Sequence, residues 1–199
     1  MLIVTSEGKS ELVVNKSKFI GYSIISRSKE QFLDKVGEIK KNNPSSSHTV
    51  FGLRIKKNTI EPHFSDDGEP SGTAGRPLIN ILESKKIINC GLVVVRYYGG
   101  INLGMGGLAR AYSQAGIGAL INSKTAIFIN YNNYKILIEY NKLEKLINVI
   151  YKNKGKIYEK KFKEKVEVFT SLPIEAEKLI KEEFKMIHIT LIDKRNIVK

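Results

Sequence analysis

Apolar positions change their period along the chain, and each period predicts an element. Residues 11–14 and 18–26 are rich in β-branched and aromatic side chains broken by polar ones, which predicts paired strands. Ser28-Lys29-Glu30-Gln31 reads as a capping box, and Phe32, Val36 and Ile39 follow at helical spacing until Asn42-Asn43-Pro44 stops the helix. Residues 49–56 and 59–64 form a hairpin that turns at Lys57-Asn58, and Leu78, Ile81 and Leu82 place a helix within 77–86. Gly91-Leu92-Val93-Val94-Val95 is continuously apolar, as in a strand covered on both faces. Leu108, Ala111, Tyr112, Ala115 and Ala119 then make one helical stripe whose small members allow close approach to a sheet.

The last third repeats the logic at smaller scale. Tyr134, Ile136, Ile138 and Tyr140 alternate as a strand, and Leu143, Leu146, Ile147 and Ile150 give a helix face. Residues 156–162 and 165–170 alternate as two strands with Glu164 in their turn. Ala176, Leu179, Ile180 and Phe184 form a second helix, and Ile187, Ile189 and Leu191 a final strand. That order is βαββαβ, the ferredoxin-like split unit. The expected fold class is α+β, with one domain over residues 1–131 and a ferredoxin-like one over 132–199. There is no internal repeat and no low-complexity linker.

Composition narrows the picture. The chain has 199 residues, 42% of them hydrophobic, enough to bury a core. No apolar run approaches the roughly 18–20 residues of a membrane span, and residues 1–7 lack the pattern of a signal peptide. Cys90 is the only cysteine, which excludes an internal disulfide and a multi-cysteine zinc site. A cytoplasmic protein without membrane partners is expected. The net charge of +13 favours anionic partners, although enrichment in Lys, Ile and Asn also fits a general compositional bias. Residues 1–131 carry 17 basic and 10 acidic side chains and residues 132–199 carry 16 and 10, so neither half is a basic tail. Only six of the basic residues are arginine, and Arg76, Arg96 and Arg110 lie in or beside Gly-rich stretches.

Two stretches carry candidate chemistry. In residues 65–77, Gly and Pro density predicts a fixed irregular loop bearing Asp66, Asp67 and Glu69, with Ser71 or Thr73 capping the helix that starts near Arg76-Pro77. It reads as an anion- or metal-facing loop or as a structural turn with solvated acids. The spacing does not suit a calcium loop. In residues 96–110, a buried strand runs into a Gly-rich loop (Gly99, Gly100, Gly104, Gly106, Gly107) and a helix start, flanked by Arg96 and Arg110. Such a loop presents N–H groups to an anion, or serves as a tight strand-to-helix connection. It is neither a Walker loop nor a dinucleotide fingerprint. Tyr97 and Tyr98 face opposite sides of an extended strand, one for the core and one, Tyr98, as a stacking platform. His48, His63 and His188 read as hydrogen-bonded structural residues. Lysines 152, 154, 156, 160, 161, 163 and 165, interleaved with Tyr151, Tyr158 and Phe162, fit an RNA-binding face or a solvated edge strand.

Ser65-Asp-Asp-Gly-Glu-Pro-Ser-Gly-Thr-Ala-Gly-Arg-Pro77 and Val94-Val-Arg-Tyr-Tyr-Gly-Gly-Ile-Asn-Leu-Gly-Met-Gly-Gly-Leu-Ala-Arg-Ala-Tyr112 together resemble the signature of the Impact family, in its bacterial YigZ branch. His48, within Ser47-His48-Thr49, resembles a further family position. The resemblance covers essentially the whole chain. It implies an N-terminal α/β sandwich like the second domain of the fifth small-subunit ribosomal protein, followed by a ferredoxin-like domain similar to domain V of elongation factor G. By that analogy the chain is an RNA- or ribosome-associated binding protein, with a protein partner in translation control as a related role. It implies no cofactor and names no reaction. A phosphate- or nucleotide-binding enzyme that uses the Gly-rich loop, with Mg²⁺ held by Asp66, Asp67 or Glu69, is a second reading. A protein-interaction module is a third. Gly116 and Gly118 depart from the usual helix-forming residues after the motif and either weaken that helix or let it pack closely.

Overall fold

The computed structural model describes residues 1–185 and 187–195, and the chain divides into two compact units, Met1–Ile127 and Phe128–Lys199. In the first lie β1 (Leu2–Ser6), β2 (Lys9–Val14), β3 (Ser17–Ile25), α1 (Lys29–Asn42), β4 (His48–Lys56), β5 (Ile60–Ser65), α2 (Gly75–Ser84), β6 (Cys90–Tyr97), α3 (Gly104–Ile121) and β7 (Lys124–Ile127). The second holds β8 (Tyr131–Ile138), α4 (Leu143–Lys152), β9 (Lys156–Phe162), β10 (Val166–Pro173), α5 (Ile174–Glu183) and β11 (His188–Arg195). The fold class is α+β.

The first unit is built on an antiparallel sheet of order β2-β3-β6-β4-β5. β6 is the apolar run of 91–95, and its strand-period alternation feeds two cores. Val93 packs with Phe32 of α1, Ile24 and Leu53 on one face. Leu92 and Val94 pack with Leu78 and Leu82 of α2, Tyr112 and Ala115 of α3, and Phe19 on the other. Helices on both faces explain why this strand has no polar side: each residue pointing either way meets apolar atoms, and each buried Val or Leu contributes roughly 1.5–3 kcal/mol.

Local chemistry sets the helix ends. Ser28 Oγ accepts the Gln31 N–H at 3.2 Å and caps α1, but the Gln31 carboxamide accepts from the Arg27 N–H and the Ser26 hydroxyl, so the box closes outside the helix. The Arg54 guanidinium donates to the Leu82 and Ile87 carbonyls, both at 2.9 Å, and satisfies acceptors at the end of α2. Of the two uses expected of Gly116, close packing is the one observed. A methyl group there would sit 2.8 Å from Leu78 Cδ2, so α3 lies against α2 because that position has no side chain. A small sheet of β1 and β7 pairs Leu2 with Ile127 and has no counterpart in the sequence pattern.

The second unit has sheet order β11-β8-β10-β9, all antiparallel, the ferredoxin-like arrangement. Tyr134, Ile136 and Ile138 of β8 pack with Val166 and Val168 of β10, Leu146 and Ile150 of α4, and Ala176 and Ile180 of α5. Tyr140, expected at the end of β8, lies in a 3₁₀ turn at Tyr140–Lys142, where its hydroxyl donates to the Lys163 carbonyl at 2.7 Å. Among the described residues no helix is long and apolar enough to cross a membrane.

Gly91 tests the packing of β6 against α1. A methyl group there would collide with the fully buried Phe32 ring. Gly91→Ala is expected to cost about 1–3 kcal/mol as overpacking, and the pair with Phe32→Leu should be less destabilised than the two single changes added together, by urea denaturation.

Candidate functional site

Strand register assembles the site of the first unit. His48 of β4 pairs with Arg96 of β6, which pairs with Phe19 of β3, so these side chains form one row on the face toward α2 and α3. Glu69 comes from the loop between β5 and α2, and Tyr112 from α3. Glu69 Oε1 accepts from Arg96 Nη1 at 2.6 Å and from the Tyr112 hydroxyl at 2.7 Å. The Arg96 and Glu69 side chains are 5% and 4% exposed. Arg96 also reaches Ser17 Oγ at 3.4 Å and lies between the Phe19 and Tyr98 rings, 5.4 and 5.2 Å from their centroids. Aromatic faces on both sides suit a planar cation withdrawn from water.

His48 completes the cluster. Its Nδ1 is 2.8 Å from the Asp67 carbonyl, which can only accept, so Nδ1 carries the proton. Nε2 then faces Glu69 Oε1 at 3.8 Å. Beside it opens a cleft of about 480 Å³ lined by His48, Glu69, Arg96, Tyr98, Asn102 and Gly104, with Pro70, Leu103, Met105 and Leu108 as apolar walls. Both Gly-rich stretches therefore contribute to one cleft.

The other candidate residues are placed elsewhere or consumed internally. Asp66 accepts the Gly72, Ala74 and Gly75 N–H groups at 2.9, 3.0 and 2.8 Å. It thereby caps α2, the role expected of Ser71 or Thr73; Ser71 is exposed and the Thr73 hydroxyl donates to the Pro70 carbonyl at 2.6 Å. Asp67 accepts from the Thr49 N–H at 2.7 Å and pairs with Lys40 at 3.2 Å. With both carboxylates spent on the loop, no group of three His, Cys, Asp or Glu side chains is placed to hold a metal among the described residues. Arg76 and Arg110 are exposed and do not line the cleft. The Tyr98 and Gly99 N–H groups are taken by Ser47 and Ser17 hydroxyls, both at 3.1 Å. Gly106 and Gly107 lie inside α3, which already begins at Gly104, and only Gly100 and Gly104 of this stretch have positive φ (81° and 67°). Tyr97 turns inward to Asn43, at 2.8 Å, while Tyr98 is 48% exposed.

The second unit carries a separate surface on the sheet face turned away from α4 and α5. The half-buried Phe169 ring on β10 lies opposite Lys135 of β8 and Glu159 of β9, and has the Lys135 and Lys161 ammonium groups 6.0 and 5.0 Å from its centroid. Tyr158, 52% exposed, is 6.5 Å from it. Lys135 and Lys163 pair with Glu167 at 2.7 and 3.5 Å, and Lys161 with Glu159 at 3.4 Å. The Lys135 ammonium donates to Glu167 and holds its carboxyl below the usual range. The lysine run of the sequence marked one edge of this surface. Phe169 and Lys135 come from neighbouring strands; their only sequence signal was a large aromatic at a polar-face position of β10.

The sequence profile of the Impact N-terminal domain matches residues 15–120, more than half of the chain and the whole of the cleft. The chain belongs to the Impact family. This Impact-family chain is 37% identical over 112 residues to the IMPACT family member YvyE of Bacillus subtilis, a match that covers 56% of this chain and about half, 52%, of that protein. It is 31% identical over 162 residues to the IMPACT family member YigZ of Escherichia coli, covering 80% and 79% of the two chains. A crystal structure described only as that of a hypothetical protein is 27% identical, with a TM-score of 0.65 over 98% of both chains.

The buried pair and its phenol have measurable consequences. Arg96→Met should cost about 3–5 kcal/mol because it strands a buried carboxylate, and adding Glu69→Gln should restore part of that loss. Burial, then the hydrogen bond and charge of Glu69, push the Tyr112 hydroxyl far above its ordinary value of 10.0. The folded chain keeps this proton where the unfolded chain has released it, so stability falls as pH rises above about 10. Burial pushes Cys90 up to about 12 and adds to the same alkaline loss. Tyr112→Phe should show a shallower alkaline decline in urea midpoint than the parent.

Proposed function

We propose that this protein binds single-stranded RNA in the cytoplasm, across the exposed sheet face of its C-terminal unit. The observation that carries the reading is Phe169, flanked by the Lys135 and Lys161 ammonium groups at 6.0 and 5.0 Å with the Tyr158 ring beside it. A ferredoxin-like sheet that presents aromatic rings from adjacent strands offers stacking surfaces for successive bases. Lysine heads around those rings reach the phosphates, and their aliphatic stems lie along the rings meanwhile. Glu159 and Glu167 hold the lysines in place without RNA, and phosphates replace the carboxylates when RNA binds. Charge supports the same reading, because residues 128–199 carry 16 basic and 10 acidic side chains.

In the N-terminal unit Arg96 is already neutralised by Glu69, so its cleft has little cationic surface for a polyanion. The likeness to translation-associated folds implied by the signature motifs makes ribosomal RNA a fitting probe, and regulation of translation the process in which binding would act.

Binding to a labelled single-stranded RNA of about ten nucleotides should fall steeply with salt. Phe169→Ala should weaken it about 5- to 100-fold, the range for loss of one base–aromatic stack. Lys135→Ala/Lys161→Ala should lower the slope of log affinity against log salt by about 1.4, at roughly 0.7 per lost phosphate contact on a single strand. Binding that survives all three substitutions unchanged would exclude this face.

A further inference from the structure

The cleft of the N-terminal unit is built differently from the RNA surface, and its polar groups form a pattern of their own. Glu69 is 8% exposed and lines the cleft. Its Oε1 already holds Arg96 and Tyr112, while Oε2 receives no hydrogen bond from the described residues. Oε2 is not sealed off from water, and as a carboxylate oxygen it can accept from a donor that enters on the cleft side. His48 adds a second acceptor: the Nδ1–H tautomer, bonded to the Asp67 carbonyl, presents its Nε2 lone pair 3.8 Å from Glu69 Oε1. Two adjacent acceptors, fixed by a backbone carbonyl and by a buried ion pair, match a ligand with two adjacent hydroxyl donors.

The remaining walls specify the rest of such a ligand. Tyr98 stacks one face of its ring on Arg96, 5.2 Å away, and is 48% exposed, which leaves an aromatic surface for a flat ring. Its hydroxyl donates to Asn102 Oδ1 at 3.0 Å, a contact that does not use the N–H₂ donors of this cleft-lining residue. Beside them begins α3, an 18-residue helix with no side-chain cap and no acidic residue in its first turn. Its N-terminal amides and dipole favour an anion there. A volume of about 480 Å³ suits a small molecule.

We propose that this cleft binds a ribonucleoside monophosphate. The ribose 2′,3′-diol is held by Glu69 and His48, the base lies on Tyr98, and the phosphate sits at Asn102 and the start of α3. A carboxylate that receives a ribose hydroxyl is a recurrent way of selecting ribose. The Arg96–Glu69 pair fixes the acceptor in place and does not itself supply the phosphate's counter-charge.

Calorimetric titration of the full chain with the four ribonucleoside 5′-monophosphates and their 2′,3′-dideoxy counterparts tests this. Saturable one-to-one binding of at least one ribonucleotide is expected, about tenfold or more tighter than its dideoxy form, the loss expected when hydrogen bonds to a charged acceptor go unmade. Tyr98→Ala should weaken binding about fivefold or more, and Tyr98→Phe, which keeps a ring over Arg96, should retain it. Phe169→Ala should leave nucleotide binding intact, which separates this site from the RNA surface of the other unit. Equal affinity for ribo and dideoxy forms, no saturable binding at millimolar ligand, or undiminished binding by Tyr98→Ala would each overturn the assignment.

Discussion

The buried pair of Arg96 and Glu69, 2.6 Å apart, joins elements that chain connectivity alone would leave independent. Removing two charges from water costs several kcal/mol per ion, and their attraction offsets this only where further groups satisfy both partners. Tyr112 from α3 bonds Glu69 Oε1 and Ser17 from the start of β3 bonds Arg96 Nη2, while Phe19 and Tyr98 cover the guanidinium, whose buried Nε has no hydrogen-bond partner among the described residues. The loop after β5, the centre of the sheet and α3 must therefore arrive together. That requirement gives the cleft its shape, because the same pair forms its floor.

The loop around Glu69 is held with similar economy. Asp66 gathers three backbone N–H groups at the start of α2, and Asp67 ties the loop to β4 through the Thr49 N–H and to α1 through Lys40. A chain so rich in Gly and Pro has high unfolded-state freedom, and internal carboxylate acceptors confine it to one path. The acids that look like ligands in the sequence act here as structural braces. Glu69 alone keeps an oxygen toward the cleft.

The C-terminal unit meets its constraints by strand alternation. One face of its sheet buries Tyr134, Ile136, Val166 and Val168 against two helices, and the other is left with the residues between them. Phe169 belongs to that second set, with the Lys135 and Lys161 ammonium groups 6.0 and 5.0 Å from its ring centre. Two surfaces of different character result, an open cleft with polar and apolar walls in one unit and a basic aromatic sheet face in the other.

Much of this was written in local pattern. The apolar run at 91–95, the helical stripe from Leu108 to Ala119 and the βαββαβ order at the C-terminus all rest on periodicity, which depends only on how often a side chain returns to the same face. The two Gly-rich stretches were legible as irregular loops by their density of Gly, Pro and polar residues, and the fold brings both to one cleft. Pairing across long separations was not legible. β1 and β7 meet over more than a hundred residues without a local mark, and Phe169 gains Lys135 only through the register of β8 with β10. Which of Asp66, Asp67 and Glu69 faces the cleft, and which of Arg76, Arg96 and Arg110 is buried, was likewise decided by tertiary structure. A carboxylate or guanidinium is the same group in any sequence, and its role is set by the donors, acceptors and rings that the folded chain brings within 3 to 6 Å of it.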